Sequence, residues 1–259
     1  MSKYFAPIFL FVIFSCSPDR KKLETETNSD KSIIKYSARA VFPHDTEAFT
    51  EGLVIHNGKV FESTGGDKSW IAEVAIESGI QNKKVNLNKG YFGEGITILN
   101  NKIYQLTWKN KVGFIYDVST YKKLGEFKYE FEGWGITHDN HNLIVSDGTE
   151  TIYYLDSVSL QVVKKLSVKE NGVKASKLNE LEFIEGYIFA NQWETNYILK
   201  IDPTTGVVVG KLDLSEFVKK AKWMYPQADV LNGIAYNSKT KDVLITGKLW
   251  PLTFVIRLN

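Results

Sequence analysis

One hairpin pattern recurs five times along the chain, and this most constrains how it can fold. "EGITILNNKIYQLTW" begins at Glu94. The same pattern begins at Glu51 ("EGLVIHNGKVFESTG"), Trp134 ("WGITHDNHNLIVSDG"), Asn179 ("NELEFIEGYIFANQW") and Asn232 ("NGIAYNSKTKDVLITGK"). Val60, Ile103, Leu143, Ile188 and Val243 occupy one equivalent position; Phe61, Tyr104, Ile144, Phe189 and Leu244 occupy the next. Turn residues separate the two halves, as in His56-Asn57-Gly58, Asn100-Asn101 and Glu185-Gly186, and such residues mark hairpins. Two further strand-like runs follow each of the first four hairpins, for example "GFIYDVST" and "KKLGEFKYE".

Four strands in a unit of about 40 to 50 residues is the period of a β-propeller blade. The expected fold is therefore an all-β, five-bladed β-propeller. The fifth hairpin is followed by a single strand, "TFVIRLN", and a spare strand, "SIIKYSARAVF", precedes the first. Pairing this N-terminal strand with the C-terminal blade would close the ring and remove two exposed sheet edges. A β-sandwich would not explain five copies in register with an odd strand at each end. The plentiful aromatics, 13 % of residues, suit strands.

The N-terminus has a different character. "MSKYFAPIFLFVIFSC" carries an early lysine and an apolar run from Phe5 to Phe14, too short to span a bilayer as a helix but suited to a signal peptide. Ile13-Phe14-Ser15-Cys16 resembles a bacterial lipobox, so residues 1–15 are expected to be a lipoprotein-type signal peptide. Cys16 would be the lipidated first residue of the mature chain. Residues 16–32 are expected to form a polar tether, and residues 33–259 the propeller. These features predict export and anchoring to a bacterial membrane on its periplasmic or cell-surface face. Cys16 is the single cysteine, so no intramolecular disulfide forms. A net charge of +2 gives no reason to expect nucleic acid as a partner, and a monomer is expected.

The repeat also locates a site, because equivalent positions at one mouth of the channel break the packing pattern. The hairpins start with Glu51, Glu94, Trp134, Asn179 and Asn232 and close with Gly65, Trp108, Gly148, Trp193 and Lys248. Packing alone would favour small or apolar residues there, whereas carboxylates, amides, an amine and indoles suit a small-molecule pocket. His44, His56, His138 and His141 are scattered, and His138 and His141 flank a turn; they are read as loop residues. There is no G-x-S-x-G elbow.

"FTEGL", "FGEGIT", "LTW", "GWGIT", "SDGT", "LNELEF", "ANQWET", "IDPTTG", "LNGIAY" and "TGKLWP" together resemble the plant and bacterial glutamine cyclotransferases, over about residues 40 to 256. This resemblance implies conversion of a peptide's N-terminal glutamine to pyroglutamate with release of ammonia. It implies Glu94 as the acid/base residue, with Phe49, Phe92, Trp134, Asn179, Trp193 and Lys248 around it, and chemistry without a required metal. Glu51, Trp108 and Asn232 join the substrate pocket from the repeat. Lys248 and the Asn179 amide are candidate donors to the developing oxyanion. The family commonly has "FTQGL", with glutamine where this chain has Glu51, and a second carboxylate near Glu94 would make the two titrate as a pair. It also leaves room for a divalent cation in the channel. Two alternatives follow: a non-catalytic propeller lipoprotein that binds a ligand or partner, and a metal-dependent propeller hydrolase or lactonase using Glu51, Glu94, Asn179 and Asn232.

Overall fold

The computed structural model describes Met1 and residues 32–259. The expected signal segment, Cys16 and the tether as far as residue 31 lie outside the described residues. Strand β1 (Tyr36–Pro43) precedes blade 1, formed by β2 (Thr50–His56), β3 (Lys59–Thr64), β4 (Trp70–Ala75) and β5 (Ile80–Asn86). Blade 2 is β6 (Gly93–Leu99), β7 (Lys102–Thr107), β8 (Val112–Asp117) and β9 (Lys123–Lys128). Blade 3 is β10 (Ile136–His138), β11 (Asn142–Ser146), β12 (Thr151–Asp156) and β13 (Val162–Ser167). A small hairpin, β14 (Lys169–Glu170) and β15 (Val173–Lys174), leads to blade 4: β16 (Leu178–Ile184), β17 (Tyr187–Gln192), β18 (Tyr197–Ile201) and β19 (Val208–Asp213). After helix α1 (Ser215–Met224) come β20 (Leu231–Asn237), β21 (Asp242–Gly247) and β22 (Leu252–Leu258). Strand β1 pairs antiparallel with β22, setting Val41 opposite Phe254 and Ser37 opposite Arg257. Blade 5 thus takes its outermost strand from the N-terminal side, and the five-bladed ring closes as the repeat predicts.

Local chemistry sets the hairpins. Asn57-Gly58, Asn100-Asn101 and Glu185-Gly186 all have positive φ, the turn geometry that matches strand twist. Inner strands are buried along most of their length, as in β6, whereas outer strands such as β13 face water. The core lies between blades. Val54 and Phe61 of blade 1 meet Ile96, Ile98 and Ile103 of blade 2, and Leu53 and Val60 meet Ala235, Leu244 and Val255 of blade 5. Each such buried Val, Leu, Ile or Phe contributes about 1.5–3 kcal/mol.

Two features lie outside the repeat. Helix α1 occupies the longest step between hairpins; Asp213 accepts hydrogen bonds from the backbone N–H and hydroxyl of Ser215 at its start. Val218 and Ala221 face the core between blades 4 and 5, and Phe217 stacks on Phe254. The second feature is on the axis. There the inner strands approach so closely that a Cβ on Gly95 would lie 2.7 Å from Ile136 N, and one on Gly135 2.1 Å from Asn179 O. Gly52, Gly95, Gly135 and Gly233 hold equivalent positions in four blades, but blade 4 has Glu180. Its carboxyl accepts the N–H groups of Leu53 (3.3 Å) and Ile234 (2.8 Å), across to blades 1 and 5. Glu182 accepts from Tyr236 N at 2.9 Å and the Thr137 hydroxyl at 3.2 Å.

Burial raises the pKa of Glu182 to about 8, against the hydrogen bonds from Tyr236 and Thr137, and burial also raises Glu180 well above the carboxylate range. The folded chain therefore holds protons that the unfolded chain releases at the same pH. Their stabilisation is complete below the unfolded carboxylate pKa of about 4.3 and is lost as pH rises toward 8. Urea unfolding should show stability falling over this window and a shallower fall in Glu182→Gln; an unchanged slope would show that Glu182 is ionised in the folded chain.

Candidate active site

A β-bulge opens the site. In β2, β6, β16 and β20 the pairing register with the neighbouring strand slips across Glu51, Glu94, Asn179 and Asn232 respectively. A bulge turns a side chain out of the alternating pattern and is common beside active sites. Four of the five hairpin starts are therefore aimed by the same local device. One backbone hydrogen bond repeats beside it: Gly65 N to Phe49 O, Trp108 N to Phe92 O, Trp193 N to Lys177 O and Lys248 N to Val230 O. The hairpin-closing residues are thus fixed next to the starts.

These ends surround a cavity of ≈ 390 Å³ lined by Phe49, Glu51, Phe92, Glu94, Trp108, Trp134, Asn179, Trp193, Asp229 and Lys248. Asn232 stands behind this wall, donating Nδ2–H to Thr50 O at 2.9 Å and to Glu51 Oε2 at 3.3 Å. The aromatic walls interlock edge to face. Phe49 meets Phe92 at 6.2 Å, Phe92 meets Trp108 at 5.7 Å, and Trp134 meets Trp193 at 5.7 Å between ring centroids. The glycines at two closing positions make room for these rings. A Cβ on Gly65 would lie 2.2 Å from the Phe92 ring, and one on Gly148 2.6 Å from the Trp134 ring.

Charge is concentrated at the floor. Glu51 and Glu94 are 1 % and 5 % exposed, and Lys248 is 6 % exposed. Lys248 Nζ lies 2.6 Å from Glu51 Oε1 and 4.6 Å from the centroid of the Phe49 ring. Burial raises the Glu94 pKa well above the carboxylate range; the negative charge on Glu51 raises it further, and the Lys248 ammonium opposes both. Burial also raises Glu51, against the charge and hydrogen bond of Lys248. The hydrogen bond between the two carboxyls favours the proton on Glu94 and the charge on Glu51. Within the pair, burial and the Glu51 charge therefore favour the proton on Glu94, and Lys248 favours the charge on Glu51.

The surroundings fix Glu94 firmly. Its carbonyl accepts from Ser63 Oγ at 2.5 Å, Gly93 N–H donates to Ser69 Oγ at 2.9 Å, and Gly95 N–H donates to Trp134 O at 2.8 Å. Beneath Glu51, the buried Glu62 accepts from Thr50 Oγ1 at 2.7 Å and lies 3.0 Å from His44 Nε2. Asn179 lines the cavity, and its Oδ1 is buried without a hydrogen-bond partner.

Neither Glu132 nor Asp229 is a hairpin start or closure in the sequence. Glu132 Oε2 accepts both indole N–H groups, from Trp108 at 2.7 Å and Trp134 at 3.1 Å, and so ties the walls of blades 2 and 3 together. The signal was the acid two residues before Trp134 in "EGWGI". Asp229 is an exposed rim residue whose backbone N–H donates to Lys248 O at 2.9 Å. Among the described residues, no group of three or more His, Cys, Asp or Glu is placed to hold a metal ion.

A profile of the glutamine cyclotransferase family matches residues 9–258. The chain belongs to the glutamine cyclotransferase family. A glutaminyl-peptide cyclotransferase of Arabidopsis thaliana is 39 % identical over 224 residues, covering 85 % of this chain and 70 % of that protein. The crystal structure of Myxococcus xanthus glutaminyl cyclase superposes with a TM-score of 0.82 at 34 % identity, covering 88 % of this chain and 98 % of that one. A Bacteroides caccae protein of unknown function shares the fold, with a TM-score of 0.51 at 16 % identity over 63 % of this chain and 66 % of that one. Family membership makes the chain an enzyme rather than a non-catalytic binding propeller.

Proposed function

We propose that the chain converts the N-terminal glutamine of peptides or proteins to pyroglutamate, with Glu94 as general acid and base. The observation that carries this is the buried Glu94–Glu51–Lys248 cluster at the floor of an aromatic pocket. The reaction is intramolecular, so the pocket's first task is to fold the glutamine side chain back onto its own amine. Phe49, Phe92, Trp108, Trp134 and Trp193 supply rigid walls for that pose. The α-amine, with a pKa of about 7.7–8.0, is partly neutral near pH 7.

The amine nitrogen attacks the carboxamide carbon, closing the five-membered ring and converting the carbonyl to an oxyanion. Lys248 and the Asn179 amide donate to that oxygen. The amine's surplus proton passes to the carboxyl pair. Glu94 gives its proton to the departing nitrogen, the old C–N bond breaks, and ammonia leaves. The pair ends with one proton, as it began. Lys248 provides the positive charge that the pair and the oxyanion require, so no metal is needed; a channel cation held by Glu51, Glu94 and Asn179 is the competing reading, with Asn232 standing behind the wall.

Glu94→Gln should lower kcat by about 10²- to 10⁴-fold, measured as ammonia release from a glutaminyl peptide. The wild-type rate should persist in EDTA. Loss of the rate on chelation would favour the cation reading, and an undiminished rate in Glu94→Gln would remove Glu94 from the chemistry.

We further propose that the chain is exported as a monomer and anchored to a bacterial membrane through Cys16, on the strength of the lipobox-like Ile13-Phe14-Ser15-Cys16. Among the described residues no helix is long and apolar enough to cross a membrane. Mass spectrometry of the mature N-terminus should find a diacylated Cys16, and Cys16→Ala should leave the membrane fraction; an unmodified N-terminus upstream of Cys16 would contradict this.

A further inference from the structure

Two clefts adjoin the catalytic pocket on the side of blades 1 and 2. The first, ≈ 470 Å³, shares Phe92 and Trp108 with the pocket and adds Asp67, Lys89 and Lys109. The second, ≈ 580 Å³, shares Phe49 with the pocket, and Asp67 and Lys89 with the first cleft. Pocket and clefts therefore adjoin one another at the rim, on either side of shared side chains. A substrate whose N-terminal residue lies on Glu94 must run its remaining chain out over the rim, and this is a preformed path for it.

The path is bare and charged. Gly66 and Gly90 line it with φ of +90° and +93°, and a side chain at either would project into open space with no atom within 4 Å. Glycine at both positions leaves room for a second backbone to lie close. Lys109 Nζ sits 4.0 Å from the centroid of the Trp108 ring, at the boundary between pocket and first cleft. Lys89 and Lys109 are exposed, and neither has an ion-pair partner among the described residues. Asp67 offsets one of them, so the first cleft keeps a net positive charge. The second cleft balances Lys68, Lys84 and Lys89 against Asp45, Glu47 and Asp67 and supplies no net field.

Resting on the cyclotransferase reading, we propose that the peptide beyond the N-terminal glutamine lies in the first cleft. There Lys89 and Lys109 select acidic side chains at the two positions that follow the glutamine. The ammonium groups are solvated and mobile, so the preference is graded. An exposed ion pair changes kcat/KM by about twofold to fivefold, and added salt weakens it.

The test compares kcat/KM of the full chain for peptides beginning Gln-Glu-Glu, Gln-Ala-Ala and Gln-Lys-Lys at low salt. The expected order is acidic over neutral over basic, with successive steps of about twofold to fivefold. Lys89→Glu combined with Lys109→Glu should reverse the order, and these exposed positions carry little folding risk. Equal kcat/KM for the three peptides, or an order unchanged in the double variant, would overturn the cleft assignment while leaving cyclotransferase activity standing. Failure to turn over any glutaminyl peptide would remove that activity and the cleft's role with it.

Discussion

Crowding of the inner strands at the channel axis is the constraint on which the rest of the structure depends. Each inner strand runs so close to the next that glycine is used beside the axis in four blades, and Cβ atoms on Gly95 or Gly135 would strike neighbouring backbone. In blades 1 and 2 the residue just before that glycine, Glu51 or Glu94, lies in the bulge and its side chain lines the cavity. In these two blades close packing and site formation therefore share one local cause. Blade 4 departs from glycine, and Glu180 there accepts backbone N–H groups from blades 1 and 5. The floor beneath the site is sealed by a carboxyl where the other blades bring bare backbone together.

The chemistry placed on this scaffold depends on charge balance in a dry space. Two carboxyls and one ammonium meet out of water, where an unpaired charge costs several kcal/mol. Lys248 neutralises Glu51, and the proton on Glu94 removes the need for a second cation. This chain carries a carboxylate at position 51 and pairs it with Lys248. Glu94 then faces a negative neighbour that raises its proton affinity. Glu51 thereby gives the cluster a second proton-accepting oxygen group, which suits a reaction that takes a proton from one nitrogen and returns one to another.

Much of this architecture was legible in the chain because a propeller repeats itself. The alignment of Val60, Ile103, Leu143, Ile188 and Val243 marks the second strand of every blade, and the odd strands at the ends imply the closure by β1. The hairpin starts and closures point to the channel mouth because equivalent backbone hydrogen bonds place them there. Non-repeating parts stayed hidden. Helix α1 sits in a connection with no counterpart in other blades, and Glu132 lies in the loop before a hairpin rather than at a repeat position. Glu180 was not singled out in the sequence, because its function rests on which N–H groups of blades 1 and 5 reach it. Asn232 holds an equivalent position yet supports Glu51 from behind, because its side chain bonds to Thr50 O instead of facing the cavity.

The central claim is that Glu94 holds the proton of the buried pair while Glu51 carries the charge. Carbon-13 NMR of the full chain labelled at glutamate side-chain carboxyls measures this directly, with the Glu94 signal identified by its loss in Glu94→Gln. The account predicts a Glu94 signal of the neutral acid at neutral pH, titrating well above the ordinary range of about 4. It also predicts a shift to lower pH in Glu51→Gln, where the neighbouring negative charge is gone. A Glu94 signal already ionised at neutral pH, titrating in the ordinary carboxylate range, would contradict it.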